Sequence, residues 1–179
     1  CRYADDIIVV NDGSTDDTAN ILEQYPAIRT ITHPVNKGKG TALKHGLSQA
    51  KKEGFRYAIT IDSDGQHFAS DIPCFIEAIE KEPDTLLVGA RNLASDNMPG
   101  KNTFANKFSN FWFRLETGLK LEDTQSGYRL YPLRKMDVQS CWYTAKYEFE
   151  LEAIVFAAWG DVAVKNISIH VYYPPQAER

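Results

Sequence analysis

Short β-rich runs and helical patterns alternate through the first half of this chain, and that alternation limits its fold more than any other feature. The runs Asp6 to Val10, Ile28 to Thr32, Tyr57 to Ile61 and Leu86 to Ala90 are separated by helical patterns from about Asp16 to Tyr25, Thr41 to Glu53 and Asp71 to Glu82. Strands that alternate with helices predict right-handed βαβ units, hence an α/β domain with a mostly parallel central sheet flanked by helices. Beyond Arg91 the regularity breaks. Ala94 to Gly100 is expected as a polar loop, Lys101 to Thr117 as a helix and Gly127 to Tyr131 as a strand; a helix from Tyr147 to Trp159 and a strand from Val162 to His170 follow. With 179 residues and no internal repeat, low-complexity segment or linker, one domain is expected.

In open α/β sheets, ligands bind beyond the carboxyl ends of the strands, so the turns there carry the functional information. The most telling is Ile61-Asp62-Ser63-Asp64-Gly65-Gln66-His67. Carboxylates two residues apart can both reach one divalent cation if the chain bends, as Gly65 permits. Oxygen ligands of this kind suit Mg²⁺ or Mn²⁺, whose usual second partner is a phosphate or diphosphate. The plain alternative is a turn after a strand, since all these residue types favour turns. At the first strand's end, Val10-Asn11-Asp12-Gly13 leads to Ser14, Thr15 or Asp16, any of which can cap the next helix. Capping leaves Asp12 over, a carboxylate placed to accept hydrogen bonds from a nucleobase or ribose. Asn36-Lys37-Gly38-Lys39-Gly40-Thr41 places two lysines and two glycines at a helix amino terminus, either an anion site or a solvated turn, without Walker A spacing.

Composition narrows the partners. A net charge of -4 lacks the basic excess a nucleic-acid partner requires, so positive charge for an anionic ligand has to be local. Cys1, Cys74 and Cys141 form no Cys-x-x-Cys, which argues against a disulfide framework or structural zinc and fits a reducing cytoplasm. The longest apolar run, Ala153 to Trp159, is far short of a membrane span, and no leader pattern opens the stretch. The expectation is a segment that neither crosses a membrane nor is exported. In the Lys101 to Thr117 helix, Phe104, Phe108, Phe111 and Leu115 form a stripe broadened by Trp112 and Phe113. It suits core packing or, with Lys101, Lys107 and Arg114 between, a membrane-surface helix.

Taken in order, Val-Val-Asn-Asp-Gly-Ser-Thr-Asp, Asn-Lys-Gly-Lys-Gly-Thr-Ala-Leu and Ile-Asp-Ser-Asp-Gly-Gln-His resemble the signature blocks of family 2 glycosyltransferases of GT-A fold. The similarity is greatest to the dolichyl- or polyprenyl-phosphate mannosyl- and glucosyltransferase branch. It continues through Val88 to Arg91, Asp123 to Arg129 and Tyr147 to Glu150, nearly the whole chain. The resemblance implies that Val10 and Asp12 hold the nucleoside, with Lys37, Ser63 and Arg91 on the donor side. It further implies that Asp62, Asp64 and Gln66 serve the metal, Asp64 and Gln66 most directly and Asp62 nearer the ribose or the metal's water shell. Arg129 shapes the pocket for sugar and acceptor, and Arg129 and Arg179 are candidates to meet an acceptor phosphate. The branch begins with an additional strand that contacts the nucleotide, and this stretch starts after it, so a partial domain is expected.

The implied reaction is inverting transfer of a sugar from a nucleoside-diphosphate sugar, of GDP-mannose or UDP-glucose type, to a polyprenyl phosphate at the cytoplasmic face of a membrane. The cation would stabilise the leaving diphosphate. A phosphate acceptor needs no base, whereas a glycan hydroxyl does, and Asp123 is the candidate base or acceptor-positioning group, with a plain turn role as the alternative. Two rivals stand. Ile59 to Gly65 also resembles the nucleophile loop of haloacid-dehalogenase-like phosphatases, and a sugar-nucleotide-binding module without turnover would share the same blocks.

Overall fold

The computed structural model describes residues 2–91, 110–136 except 112, and 144–172. In chain order the elements are β1 (Ile8–Asn11), α1 (Thr18–Glu23), β2 (Arg29–Thr32), α2 (Lys39–Lys52) and β3 (Tyr57–Thr60). A 3₁₀ turn (Ala69–Asp71) leads into α3 (Ile72–Lys81), and β4 (Leu86–Arg91), β5 (Arg129–Pro132), α4 (Glu148–Trp159) and β6 (Val164–Ile169) complete the set. The loop expected over 94–100 and most of the helix expected over 101–117 lie outside the described residues. Of that helix, 110, 111 and 113–117 are helical.

β1 and β2 pair in parallel, and β3, β5, β4 and β6 form a second sheet in that order. β4 and β6 are parallel, while β5 runs antiparallel to both its neighbours. Three strands of this sheet therefore point one way, with one reversed strand inserted between β3 and β4. The α/β fold with a parallel-rich sheet flanked by helices is as expected. The reversed strand sits beyond the segment in which βαβ alternation holds, where a long connection leaves strand direction free.

β4 explains the layering. Its run Leu86 to Ala90 is buried throughout, as in a strand covered on both faces. Leu86 and Val88 face α2 and α4, packing with Leu47, Tyr131, Phe149, Ala153 and Ile154. Leu87 faces α3 and joins Phe75, Ile79, Tyr128, Leu130 and Ile169. The period of two along the strand thus feeds two cores, one on each side of the sheet. Fully buried Phe149 anchors α4 in the larger core, and truncating such a side chain typically costs about 3–5 kcal/mol. No helix among the described residues is long and apolar enough to cross a membrane.

Candidate active site

α2 begins at Lys39, two residues earlier than the periodicity predicts, with Gly38 as its cap at φ 95°. That start changes the chemistry of the loop. The backbone N–H of Lys37 donates to Asp12 Oδ1 at 2.9 Å and that of Gly38 to Oδ2 at 2.8 Å. Asp12, just past β1, thus supplies the negative charge at the amino end of α2, where the dipole and unbonded amides favour an anion. His33, at the end of β2, places Nδ1 2.6 Å from Asp12 Oδ1 and Nε2 2.7 Å from His45 Nδ1. Burial alone would push the Asp12 carboxyl up, but the bonds from His33, Lys37 and Gly38 outweigh it and hold it below the usual carboxylate range. Asn36 to Thr41 is accordingly not an open phosphate cradle: two of its amides are taken by the chain's own acid. The turn after β1 is clamped to the same loop, because a Cβ on Gly13 (φ 71°) would lie 2.4 Å from backbone atoms of Val35 and Asn36.

Lys39, the second lysine of the loop, crosses to the acid pair. Its Nζ lies 2.8 Å from Asp62 Oδ1, 2.9 Å from Asp62 Oδ2 and 3.0 Å from Glu150 Oε2. Burial would lower the Lys39 pKa, but the carboxylates of Glu150 and Asp62 outweigh it and raise the ammonium above the usual lysine range. Glu150, in the first turn of α4, is buried, and its Oε1 has no partner among the described residues. Asp62 also abuts Gly127, where an added Cβ would come within 2.5 Å of Asp62 Oδ2. Only a glycine there lets the Ser126 to Arg129 turn close on the acid. Asp64 and Ser63 are exposed, and Asp64 Oδ1 accepts the N–H of Gln66 at 3.0 Å. Gln66 is tied down through its carbonyl, which accepts the N–H of Tyr172 at 2.8 Å. His67 is half-buried beside Tyr128; burial, aided by Arg91 and Lys39, lowers its pKa against the pull of Asp62 and Asp64.

The structure places other expected site residues differently. Val10 packs toward α2, where an added Cβ on Gly46 would lie 3.3 Å from its Cγ2, so its side chain serves the sheet–helix contact. Asp123 is wholly buried and grips Arg91 with two bonds, Nε to Oδ2 at 2.5 Å and Nη2 to Oδ1 at 3.0 Å. It also accepts the N–H of Gln125 at 2.9 Å, so as placed it holds Arg91 in position and faces no solvent as a base. Arg129, expected to meet an acceptor phosphate, is fully buried. Its guanidinium donates to the carbonyls of Ser126 at 2.7 Å, Thr124 at 3.0 Å and Glu150. The reason is physical: a buried guanidinium with five donors must satisfy them, and this turn's carbonyls do so. Arg179 lies outside the described residues.

Glu150, His33 and His67 are members of this site to which the motifs alone assign no role, and Lys39, expected as one of two lysines at an anion site or solvated turn, is found on the carboxylates of Asp62 and Glu150. Each has a signal in the sequence: Lys39 and His33 flank strand-end turns, Glu150 closes the Tyr-Glu-Phe-Glu block, and His67 ends the acid motif. Among the described residues no three His, Cys, Asp or Glu side chains converge as a self-sufficient metal site. A cation here would be held by one or two carboxylates and completed by other oxygens, a mode typical of Mg²⁺ shared with substrate phosphates.

Residues 1–138 match the model of glycosyl transferase family 2. The chain belongs to that family. It is 31% identical over 189 residues to the UDP-N-acetylglucosamine–dolichyl-phosphate N-acetylglucosaminyltransferase of Methanococcus voltae, covering 94% of this chain and 75% of that protein. It is 27% identical over 145 residues to the polyprenol monophosphomannose synthase of Mycolicibacterium smegmatis, covering 75% of this chain and 54% of that one. These relatives place it in the dolichyl- and polyprenyl-phosphate branch of the family. Its fold is GT-A: glucosyl-3-phosphoglycerate synthase from Mycobacterium tuberculosis, solved with Mn²⁺ and UDP-glucose, superposes with a TM-score of 0.68 at 20% identity over 98% of this chain and 63% of that one. The chain thus spans between about two fifths and three quarters of the length of the curated relatives it matches. Family membership also decides between the two readings of the Asp62–Asp64 turn, in favour of a glycosyltransferase over a dehalogenase-like phosphatase.

Proposed function

We propose that this domain transfers a sugar, with inversion, from a nucleoside-diphosphate sugar to a polyprenyl phosphate presented at the cytoplasmic surface of a membrane. The observation that carries the reading is the Asp62–Asp64 pair beyond β3, with the Lys39 ammonium bound across one carboxylate and the other exposed. The family and the lipid-phosphate names of its relatives support the acceptor class.

The donor set fits a divalent cation shared with a diphosphate. Asp64, with Gln66 and Asp62 beside it, would hold Mg²⁺ or Mn²⁺, which when bound neutralises charge developing on the departing diphosphate. Lys39 brings a second positive charge to the same place. Arg91, held in position by Asp123, would meet the donor's phosphate or sugar, while Lys37 and Ser63 lie exposed on the donor side. Asp12 meets the nucleoside through whatever acceptor capacity its three N–H bonds leave, since a carboxylate has about four lone-pair sites. The acceptor follows from the base. Asp123 is committed to Arg91, and a phosphate oxygen, already anionic, attacks the anomeric carbon without one.

A hydroxyl acceptor on a glycan is the second reading, favoured by one observation: Oε1 of Glu150, beside the Lys39–Asp62 pair, has no partner among the described residues. Transfer of radiolabelled sugar from UDP- and GDP-sugars to undecaprenyl or dolichyl phosphate by the full-length protein separates the two. Label in the lipid fraction supports the proposal; label confined to soluble or polymeric glycan, with loss in Glu150→Gln, supports the second reading. Donor binding without any transfer would point to a binding module instead.

A further inference from the structure

We infer that His33, backed by His45, is a positioning residue for the loop that opens α2 and that it acts through Asp12; its consequence for the donor rests on the function proposed above. His33 is only 4% exposed, yet both its ring nitrogens have partners, Asp12 at 2.6 Å and His45 at 2.7 Å. An ionised carboxylate can only accept, so the His33 Nδ1 facing it carries the proton. The His33 Nε2 faces His45 Nδ1, so His45, His33 and Asp12 form one hydrogen-bonded chain. The rings meet edge to face, with centroids 4.7 Å apart.

The other side of Asp12 gives this chain its purpose. The same carboxylate accepts the N–H groups of Lys37 and Gly38, so donors from the end of β2 and from the following loop converge on one acid at the end of β1. The two amides bond one carboxylate oxygen each, and His33 adds a third donor on Oδ1 that ties the acid to the residue after β2. Without it only the two amides hold the carboxylate, and the loop loses its side-chain link to that strand end. The next residue, Lys39, starts α2 and reaches Asp62. A buried histidine thereby sets the direction in which an ammonium enters the acid pair. Burial first, and then the charges of His33 just past β2, Lys37 in the loop and Lys52 on its own helix, lower the His45 pKa against the pull of Asp12 just past β1.

A histidine that merely packs would change melting and nothing else. The test compares wild type with His33→Phe, which keeps volume and loses both nitrogens, and His33→Asn, whose side-chain amide can place an N–H where Nδ1 stood. Amide exchange at Lys37 and Gly38 is measured in the ligand-free full-length protein, and the Kd for UDP and GDP with Mn²⁺ is measured by calorimetry. His33→Phe is expected to speed exchange of both amides about tenfold and to weaken nucleotide binding about tenfold, the scale of one lost hydrogen bond, with His33→Asn within about threefold of wild type. Unchanged exchange in His33→Phe, or faster exchange with unchanged Kd, overturns the inference. If His33→Phe does not fold, His33→Gln replaces it: near-native behaviour of the Gln variant with loosening of the Asn variant overturns the assignment to Nδ1. A wild type that binds neither nucleotide defeats the proposed donor role, and the exchange measurement then still decides whether His33 holds the loop.

Discussion

Asp12 and Asp62 both stand just beyond strands that end at the same side of the domain, and the structure treats them oppositely. Asp12 is held by two backbone amides and a buried imidazole, partners that cannot leave without moving the chain. Asp62 is held by one lysine ammonium at the tip of a four-carbon stem, a partner that can be exchanged for another cation. An acid bonded to amides is scaffold for a loop. An acid bonded to an ammonium, with exposed Asp64 two residues on, is poised for a ligand. Asp123 extends the comparison to a third acid, wholly buried and spent on orienting Arg91.

The largest effect that could break this comparison is at Asp123. Asp123→Ala leaves the Arg91 guanidinium without its buried carboxylate and should cost about 3–5 kcal/mol in denaturant melts. A loss within about 0.5 kcal/mol, the range of ordinary surface substitutions, would show that the pair is not structural. Next is Asp12→Ala, which strands two amides and a buried histidine and should cost about 1–3 kcal/mol. Asp64→Ala, by contrast, should leave melting within about 0.5 kcal/mol of wild type while reducing sugar transfer by about 100-fold or more. If Asp64→Ala melts like Asp12→Ala, the division into scaffold and ligand acids fails.

The smallest effect is the acid titration of Asp12. Its folded pKa lies below the ordinary value, so its contribution to stability is fully present above about pH 3.9 and is lost as pH falls through the depressed folded value. The stability gap between wild type and Asp12→Asn, followed by urea melts, should close as pH drops from about 5 toward 3. A gap that widens in acid would mean the carboxylate is not the charged acceptor described here.

Much of this architecture is legible in the amino-acid sequence. The βαβ alternation through Ala90 marks each strand and helix in turn, because hydrophobic period and turn chemistry agree there. Boundaries shift where local chemistry intervenes: α2 starts at Lys39 because Gly38 can take φ 95° and Asp12 satisfies the amides before it. The segment Arg129 to Pro132 reads as a strand but its reversed direction does not show, since nothing in four residues encodes pairing partners. Arg129 misleads for a general reason. A cation in a family block suggests a ligand contact, and only the fold reveals that three carbonyls from residues 124, 126 and 150 surround it. Asp123 misleads likewise, because its partner Arg91 is 32 residues away. The Lys39–Asp62–Glu150 cluster joins three separate sequence blocks, whose convergence no spacing states.

The central claim is that the Asp62–Asp64 turn binds a nucleoside diphosphate together with a divalent cation. Its most direct test is calorimetric titration of UDP and GDP into the full-length protein and into Asp64→Ala, with Mn²⁺ and with excess chelator. The account predicts that chelation weakens wild-type binding by about tenfold or more and that Asp64→Ala binds weakly under both conditions. Equal wild-type affinity with Mn²⁺ and with chelator, or wild-type affinity in Asp64→Ala, would contradict it.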